Sequence, residues 1–569
     1  VGIVLTRSAP SEQVREESLW FGAADRPLFG RLTSPVASTS RGGVLLSPPI
    51  DREARLARRA LRSLAIFLAM DGYVSLRFDH YGTGDSSGSM DDEFDRSWVE
   101  GVDQGAALLR SLGIDSLSAV GMRIGATILG AAASAYDLRL SSVVMWDPCE
   151  SGRAYLRELS ALGALRRDVA TPEVGEPDKM SEYVHSDDAA RRLSEFHLGP
   201  PALRPLAERV LIVVREDRVV SSKFRTRWSS EHVEWTTTTE QGTMLETWLP
   251  LSVQPASTIA QIRKWLTEPA PVVAPFRELP RVTDAVVTKA SNAYPVRESF
   301  VELGPQKMFG VLSESTGEAQ GPLIVMVNGI NEDHVGPSRL WVELARRWSG
   351  AGLRCVRFDL GELGESPWSP NQLERAVYDK TRPVDICDAV RALMPVNPAD
   401  SVLIGLCSGA QLAIEAALEL KSRGVCAINP QVGTSIFRSA DRLEKSDREF
   451  VRSITLRLEN FLKRHLWVGK AVRQVSRLVV SSAYSPRVRS ALVKNGSEIL
   501  VIASPDDLSP FPRMPILGSI DRRRLVSSEH CRVEIVPGLD HDFLGAIARD
   551  RAVTIVDEHV LEKFAGITP

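Results

Sequence analysis

The sequence predicts an α/β protein made of two tandem domains, each a mostly parallel sheet with helices on both faces and a helical insertion. Three observations carry this. Strand-length apolar runs alternate with segments of helical period along the chain. The same ordered set of segments occurs twice, displaced by about 280 to 284 positions. A Pro-rich stretch separates the two sets.

The repeat is visible in three pairs. ESLWFGAADRPLFGRL at 17–32 matches ESFVELGPQKMFGVL at 298–312. LRFDHYGTGDSSG at 76–88 matches VRFDLGELGESPW at 356–368. VGMRIG at 120–125 matches IGLCSG at 404–409. The period is domain-sized, so it marks two copies of one fold rather than a solenoid. Pro269, Pro271, Pro275, Pro280 and Pro295 lie between the copies and read as a semi-rigid linker over 268–297. The copies are placed at 1–267 and 298–569.

In the first copy, GGVLLSPP reads as a buried strand and RLARRALRSLAIFLAMDG as a helix ending at a Gly. YVSLRFD is the next strand, WVEGVDQGAALLRSLG a helix, and LSAVGM a strand running into a helix. SSVVMWDP and RVLIVVRED are two more strands. The second copy repeats the pattern with LIVMVNG, LWVELARRWSGAG, LRCVRFD, PVDICDAVRALMPV, SVLIGLC, VCAINP and EILVIASPDD. Two mainly helical segments, about 150–207 and 431–497, interrupt the alternation at the same point of each copy. They are expected to cap the carboxyl ends of the strands, where open α/β sheets place their sites.

Composition narrows the function. Of the 569 residues, 43% are hydrophobic and 25% charged, which excludes a mainly disordered or coiled-coil chain. A formal net charge of -3 argues against a general nucleic-acid-binding role. The six cysteines show no CxxC or Cys/His spacing, so neither a disulfide framework nor a metal site is expected, and no cofactor is implied. No run approaches the roughly 18 uncharged apolar residues of a membrane span, and Val1 to Leu5 is too short for a signal-peptide core. A cytoplasmic location is the expectation.

The chemistry concentrates in the second copy. Ile404-Gly405-Leu406-Cys407-Ser408-Gly409 follows an apolar strand and opens a helix, Gln411 to Leu420. This is the strand–turn–helix setting of a nucleophile elbow, with Cys407 as the nucleophile. The glycines permit the tight turn, and the helix N-terminus favours a thiolate. Asp506 follows the strand 499–503 and would orient a base, with Asp507 as the adjacent alternative. His541 follows the strand 533–536 and would deprotonate Cys407. One oxyanion donor would be the backbone N–H of Ser408, and the other that of Ile330 in the loop Asn328-Gly329-Ile330-Asn331. Set against this, buried cysteines are common and a lone histidine after a strand is more often structural. The combination in the right order and flanks is what gives the assignment its weight.

The first copy has lost these groups. Arg123 stands where Cys407 does, and a guanidinium is no nucleophile. Gln241 falls opposite His541, and Asp217 opposite Asp506. Pro49 aligns with Ile330 and has no N–H to donate. The favoured expectation for Arg123 is a structural ion pair with Asp217. The copy would be a scaffold, packed on its active partner as the subunits of a homodimer pack.

The insertion 431–497 holds 14 Lys or Arg against five Asp or Glu. Such a run is often a solvated helix face. As a functional feature it would attract an anionic partner: coenzyme A, an acyl carrier protein or an anionic glycan. Leu456, Phe461, Leu462, Leu466 and Trp467 would line an apolar pocket for an acyl chain, or pack the cap down. Asn328, Arg464 and Trp467 are the candidate substrate-binding residues.

These residues resemble the α/β-hydrolase superfamily, and the resemblance covers both copies. The order nucleophile, acid, histidine is that of the superfamily. In detail the chain resembles the paired hydrolases associated with exosortase A systems, found beside exopolysaccharide genes. LSPPIDREARLARRALRSLAIFLAMDGYVSLRFDHYGTGDSSG is similar to one partner. NGINEDHVGPSRLWVELARRWSGAGLRCVRFDLGELGES is similar to the other, so the chain looks like a fusion of the two. Cys at the elbow is similar to dienelactone hydrolases, polyhydroxyalkanoate synthases and some thioesterase domains. Asn328 departs from the His-Gly of many hydrolases, and Gly361-Glu362-Leu363-Gly364 is a looser form of the usual loop. Because the Pro-Pro loop recurs in the family, Pro49 says less about lost activity than Arg123 and Gln241 do.

The sequence thus leads to an acyl-transfer enzyme, a thioesterase, esterase or acyltransferase, working on a thioester or ester through a Cys407 acyl-enzyme. The alternative is a non-catalytic pair of copies that binds an anionic partner through the basic cap.

Overall fold

The computed structural model describes residues 13–90, 92, 94–167, 186–199, 205–247, 252–268, 273–278, 281–288, 294–317, 321–329, 332–368, 379, 381–430, 492–503, 530–539 and 546–567. The second-copy insertion therefore lies almost wholly outside the described residues, with Arg464 and Trp467. So do Ile330, Asp506, Asp507 and His541.

The first copy runs β1 (Val14–Ala23), β2 (Arg26–Pro35), β3 (Gly43–Ser47), α1 (Asp51–Met70), β4 (Val74–Phe78), α2 (Phe94–Ser111), β5 (Leu117–Met122), α3 (Ile124–Ala135), β6 (Leu140–Trp146), α4 (Gly152–Arg167), α5 (Asp187–Ser194), β7 (Ala207–Arg215) and β8 (Val233–Thr238). Its sheet order is β1-β2-β4-β3-β5-β6-β7-β8. β1, β2 and β4 are joined by antiparallel ladders, and the rest are parallel.

The second copy runs β9 (Asp284–Thr288), β10 (Val296–Leu303), β11 (Met308–Ser315), β12 (Leu323–Val327), α6 (Leu340–Gly350), β13 (Arg354–Phe358), α7 (Arg382–Leu393), β14 (Ser401–Leu406), α8 (Ser408–Leu420), β15 (Gly424–Ile428), β16 (Glu498–Ala503), β17 (Cys531–Ile535) and α9 (Ala546–Val560). The order β9-β10-β11-β13-β12-β14-β15-β16-β17 repeats the first sheet with one strand added at the edge. That strand, β9, pairs antiparallel with β10 and falls inside 268–297, so the Pro-rich stretch is not all connector.

Both expected α/β domains are present, with mostly parallel sheets. The local reasons are those of the sequence. All five residues of β3 and of β12 are buried, as continuous apolar runs in the middle of a parallel sheet require. Helix α1 buries Leu56, Ala57, Ala60, Leu61, Leu64, Ala65 and Leu68 on one face, and each buried leucine contributes about 1.5–3 kcal/mol. The chain then turns at Gly72, whose φ of 92° suits glycine. In the first copy, the helices α4 and α5 follow β6 within the segment 150–207.

The ladders refine the repeat by one residue. β2 pairs Gly30 with Leu19 and Phe78, while β11 pairs Gly310 with Val301 and Phe358. Glu16, opposite Thr33, therefore corresponds to Glu298, opposite Ser313. The match between the two sequence segments sets Glu17 there instead, because the hairpin turns differ in length.

The copies meet through β1, β2, α1 and the loop after β4 on one side, and their equivalents on the other. Trp20 stacks on Phe300 at 5.1 Å, and Phe29 lies 6.2 Å from its own equivalent Phe309. Charged contacts cross in both directions. Arg77 makes two hydrogen bonds to Glu365, at 2.9 and 2.7 Å. Its equivalent Arg357 donates to Asp85 at 2.6 Å. Arg62 donates to the carbonyls of Gly364 and Ser366, and Arg346 to those of Asp85 and Ser86. Within each copy, Glu16 takes Arg62, and Glu298 takes Arg346 and Arg357. Such reciprocity is what a two-fold dimer interface has, here written into one chain.

Candidate active site

The elbow is formed in both copies. Cys407 joins β14 to α8 with φ 58° and ψ −123°, and Arg123 joins β5 to α3 with φ 53° and ψ −123°. Neither residue is glycine, so both store backbone strain of about 1–3 kcal/mol. The flanking glycines make the turn possible. A Cβ on Gly405 would lie 2.3 Å from the Gly409 carbonyl oxygen, and one on Gly409 would lie 2.5 Å from those of Val327 and Asn328. On Gly125 it would meet the Pro48 carbonyl oxygen at 2.2 Å. The Cys407 N–H donates to the Ile428 carbonyl at 2.8 Å, tying the elbow to the next strand.

Cys407 differs from the other cysteines. It is half-buried, whereas Cys149, Cys355, Cys387, Cys426 and Cys531 are buried. Burial pushes the thiols of Cys355 and Cys426 up to about 12 and that of Cys387 to about 11. Those groups are protonated and enclosed at neutral pH.

The loop expected to supply an oxyanion donor comes to the thiol. A Cβ built on Gly329 would stand 3.7 Å from the Cys407 Cβ and 3.6 Å from the Ser408 Oγ. Ser408 is buried, and its hydroxyl has no hydrogen-bond partner among the described residues. Asn328 is 2% exposed and its amide donates to the Phe358 carbonyl at 2.9 Å, so it braces the loop against the end of β13. Asp506 and His541 lie beyond β16 and β17, the two strands next in order after β15, in segments outside the described residues.

In the first copy the guanidinium of Arg123 fills the room of a nucleophile. Its Nε lies 3.1 Å from Glu53, its Nη1 3.3 Å from Asp147, and its third nitrogen bonds Glu158. The expected pair with Asp217 does not form. Asp217 is turned outward and held by two bonds from Arg215, at 2.8 and 2.6 Å. The true partners come from the first turn of α1, the residue after β6, and helix α4. Sequence reasoning missed them because an alignment of triad positions points only to Asp217. The signal available was Asp147 itself, an acidic residue ending an apolar strand.

Burial raises the carboxyls of Glu53 and Asp147 above the usual range despite Arg123. Gln241 is buried and accepts from the Trp146 indole at 2.8 Å, a structural role. His80 is enclosed near Ser47 and Pro48, and burial brings it down to about 4, so it is neutral. The Ser47 hydroxyl lies 3.4 Å from the His80 Nε2, but both groups are buried and the hydroxyl also donates to the Gly125 carbonyl at 2.9 Å.

Sequence reasoning also missed His334. It is fully buried between Asp359 of its own copy, at 2.9 Å, and Asp85 of the other, at 2.6 Å. Burial works against its charge, but the two carboxylates prevail and hold its pKa well above the usual histidine value. Among the described residues, no three His, Cys, Asp or Glu side chains gather as a metal site would require. No helix among them is long and apolar enough to cross a membrane.

The elbow follows β5 in the eight-stranded sheet and β14 in the nine-stranded one, each third in order among the parallel strands of its sheet, which is the strand–turn–helix setting of an α/β-hydrolase fold. Residues 324–555 match the family model described as the alpha/beta hydrolase family. No curated protein matches the chain. Similar solved structures include the Pyrococcus furiosus esterase PF2001, with 13% identity over 48% of this chain and 91% of that one, at a TM-score of 0.29. Carboxyl esterase 2 from Tuber melanosporum shows 15% identity over 49% and 89%, at 0.28. TT1662 from Thermus thermophilus shows 16% over 47% and 98%, at 0.29. Likenesses this distant say nothing of what the chain acts on.

Proposed function

We propose that the second copy is an acyl-transfer enzyme working through an acyl-enzyme on Cys407, and that the first copy is a non-catalytic scaffold. The observation that carries this reading is Cys407 itself. It is the half-buried cysteine on a strained elbow, with the Gly329 backbone beside its Cβ.

The steps follow from thioester or ester chemistry. His541, oriented by Asp506, takes the thiol proton as the Cys407 sulfur attacks the acyl carbonyl. The N–H groups of Ser408 and Ile330 receive the oxyanion. The carbon–sulfur or carbon–oxygen bond to the leaving group breaks, and His541 returns the proton to it. Water, an alcohol or an amine then attacks the Cys407 thioester, and His541 takes the acceptor's proton and hands it to the departing Cys407 sulfur. A donor linked to coenzyme A or a carrier protein fits the basic insertion 431–497.

The test is intact-mass spectrometry after incubation with a panel of acyl thioesters and p-nitrophenyl esters. An adduct in wild type that is absent in Cys407→Ala and slowed in His541→Ala supports the reading, and its mass gives the preferred acyl chain. No adduct with any donor, and alkylation of Cys407 no faster than that of Cys355 or Cys426, would overturn it. A binding module acting through the basic cap would then take its place, much as the first copy keeps an elbow without a nucleophile.

A further inference from the structure

The residue that follows the strand next to each elbow is an acid in one copy and its amide in the other. The ladders set Met122 opposite Trp146 and Leu406 opposite Ile428, so Asp147, after β6, lies beside Arg123, and Asn429, after β15, beside Cys407. The backbones match. The elbow N–H donates to the Trp146 carbonyl at 3.0 Å in one copy and to that of Ile428 at 2.8 Å in the other. The Asp147 N–H donates to Val213 at 2.7 Å, and the Asn429 N–H to Ile502 at 2.8 Å. Both residues hold a positive φ, 46° and 43°, directly before Pro148 and Pro430. Asp and Asn are the residues with a Cβ that enter this region most readily. The backbone therefore accounts for the pair of residues but not for the choice between them.

The elbow residue accounts for the choice. In the first copy the buried Asp147 lies with its Oδ2 3.3 Å from the Arg123 Nη1. Burial holds this carboxyl above the usual range even beside a guanidinium. In the second copy the same backbone sets a fully buried Asn429 against an elbow that carries a thiol. A carboxylate there would place a buried like charge beside the thiolate and disfavour its formation. The other elements that meet at Cys407 are neutral where they reach it. The loop after β12 brings Asn328 and Gly329, β14 ends in Leu406, and α8 opens with Ser408-Gly409-Ala410-Gln411. Farther along α8, Glu415 accepts from Gln411 at 3.0 Å, and farther along the loop Glu332 and Asp333 pair with Arg55 and Arg58. His541, the expected base, lies outside the described residues. We infer that Asn429 keeps the Cys407 thiolate attainable at neutral pH, by putting an uncharged amide where the first copy has the acid that holds Arg123. Asn429 is a positioning residue, acting through the sulfur and not on the acyl group. The inference rests on the reading of Cys407 as the nucleophile.

The experiment follows alkylation of Cys407 by iodoacetamide in the full chain as a function of pH, with peptide mapping to separate it from the other cysteines. Asn429→Asp should slow alkylation at pH 7 by about 10-fold and move the midpoint of the profile up by about one pH unit. Acylation by p-nitrophenyl acetate at pH 7 should fall by the same factor. A merely structural lesion would instead lower the plateau rate and leave the midpoint in place. Asn429→Gly suits the positive φ and brings no charge, so its midpoint should stay at the wild-type pH whatever its plateau. A wild-type midpoint in Asn429→Asp, or an equal shift in Asn429→Gly, overturns the inference. If Asn429→Asp fails to fold, the first copy decides. In a Cys407→Ala background, the thiol introduced by Arg123→Cys should alkylate about 10-fold faster at pH 7 when Asp147→Asn accompanies it, and equal rates overturn the inference. A wild type that takes no acyl group overturns the acyl-enzyme reading, and the alkylation profiles still decide whether Asn429 governs the charge on the thiol.

Discussion

The two elbows share a backbone and differ in what stands on it. Their ψ angles are the same and their φ angles differ by a few degrees. One presents a half-buried thiol, and the other a guanidinium wrapped by Glu53, Asp147 and Glu158. The strained turn therefore survives without a nucleophile. It is held by glycines that let the crossing backbones touch, and by the strand-to-strand bond from the elbow N–H. An elbow on its own is a fact about packing, and the electrostatic surroundings decide whether it can be a fact about chemistry.

The largest expected effect breaks the comparison on the Cys407 side. Cys407→Ala should remove acyl adduct formation and lower turnover of a p-nitrophenyl ester by on the order of 10⁴-fold or more, with thermal stability close to wild type. His541→Ala should lower the acylation rate by roughly 10²- to 10⁴-fold. Stopped-flow absorbance at the nitrophenolate band measures both. Equal activity in Cys407→Ala would place the chemistry elsewhere.

The second effect breaks it on the Arg123 side. Arg123→Ala leaves Glu53 and Asp147 buried without their cation. Removing one partner of a buried ion pair costs about 3–5 kcal/mol. Urea unfolding should show the first copy destabilised by that order, with acylation at Cys407 intact whenever the second copy stays folded. A loss below about 1 kcal/mol would mean that the cluster adds little beyond filling space.

The alternation of strands and helices and the mostly parallel character of both sheets were legible because continuous apolar runs and helix-period segments follow one another in each copy; the order of the strands came only from the fold. The repeat was legible because its motifs lie at turns, where glycine and aspartate are demanded by backbone geometry. A Cβ on Gly84 or Gly364 would collide with the carboxylate of Asp79 or Asp359, so both copies keep the same spacing. The partners of Arg123 and the position of His334 were not legible. Glu53, Asp147 and Glu158 come from three elements that only the fold brings together, and His334 meets Asp85 across 249 residues of chain. The one-residue shift from Glu17 to Glu16 was hidden by a hairpin turn of different length.

The third effect concerns the interface both copies share. His334 is charged in the folded protein, beside Asp85, Asp359 and, through Asp85, Arg357. Its folded pKa is raised, so its contribution to stability is complete below the unfolded value of about 6.5 and declines as pH rises from there toward the folded value. The slope from this group is at most about 1.4 kcal/mol per pH unit. Unfolding free energy measured by urea between pH 6 and 9 should fall accordingly, and the fall should be absent in His334→Gln. The carboxylates move oppositely. Glu365 is held well below its usual range by Arg77 and Arg31 against the cost of burial, so its contribution is present above the unfolded carboxylate pKa and lost as pH falls through the folded one. The two groups together set a neutral window in which the copies stay clasped.

The smallest effect sharpens the comparison most. Arg123→Cys with Gln241→His rewrites the first elbow to match the second in its nucleophile and base. Acylation of the thiol introduced at position 123 should still fail, for reasons visible around it. Asp217 is bound to Arg215 and faces solvent, so it cannot orient a new histidine. Pro49 offers no N–H for an oxyanion. Gln241→His by itself gives up the bond from Trp146 in a closed site, worth about 1 kcal/mol, a shift that thermal unfolding resolves. Peptide mapping after incubation with a p-nitrophenyl ester in a Cys407→Ala background separates the outcomes. An acyl group on the introduced thiol would show that the first copy lost only two side chains. A bare thiol would show that the loss lies in the surroundings, where the electrostatics of Glu53, Asp147 and Glu158 have been rebuilt around a permanent cation.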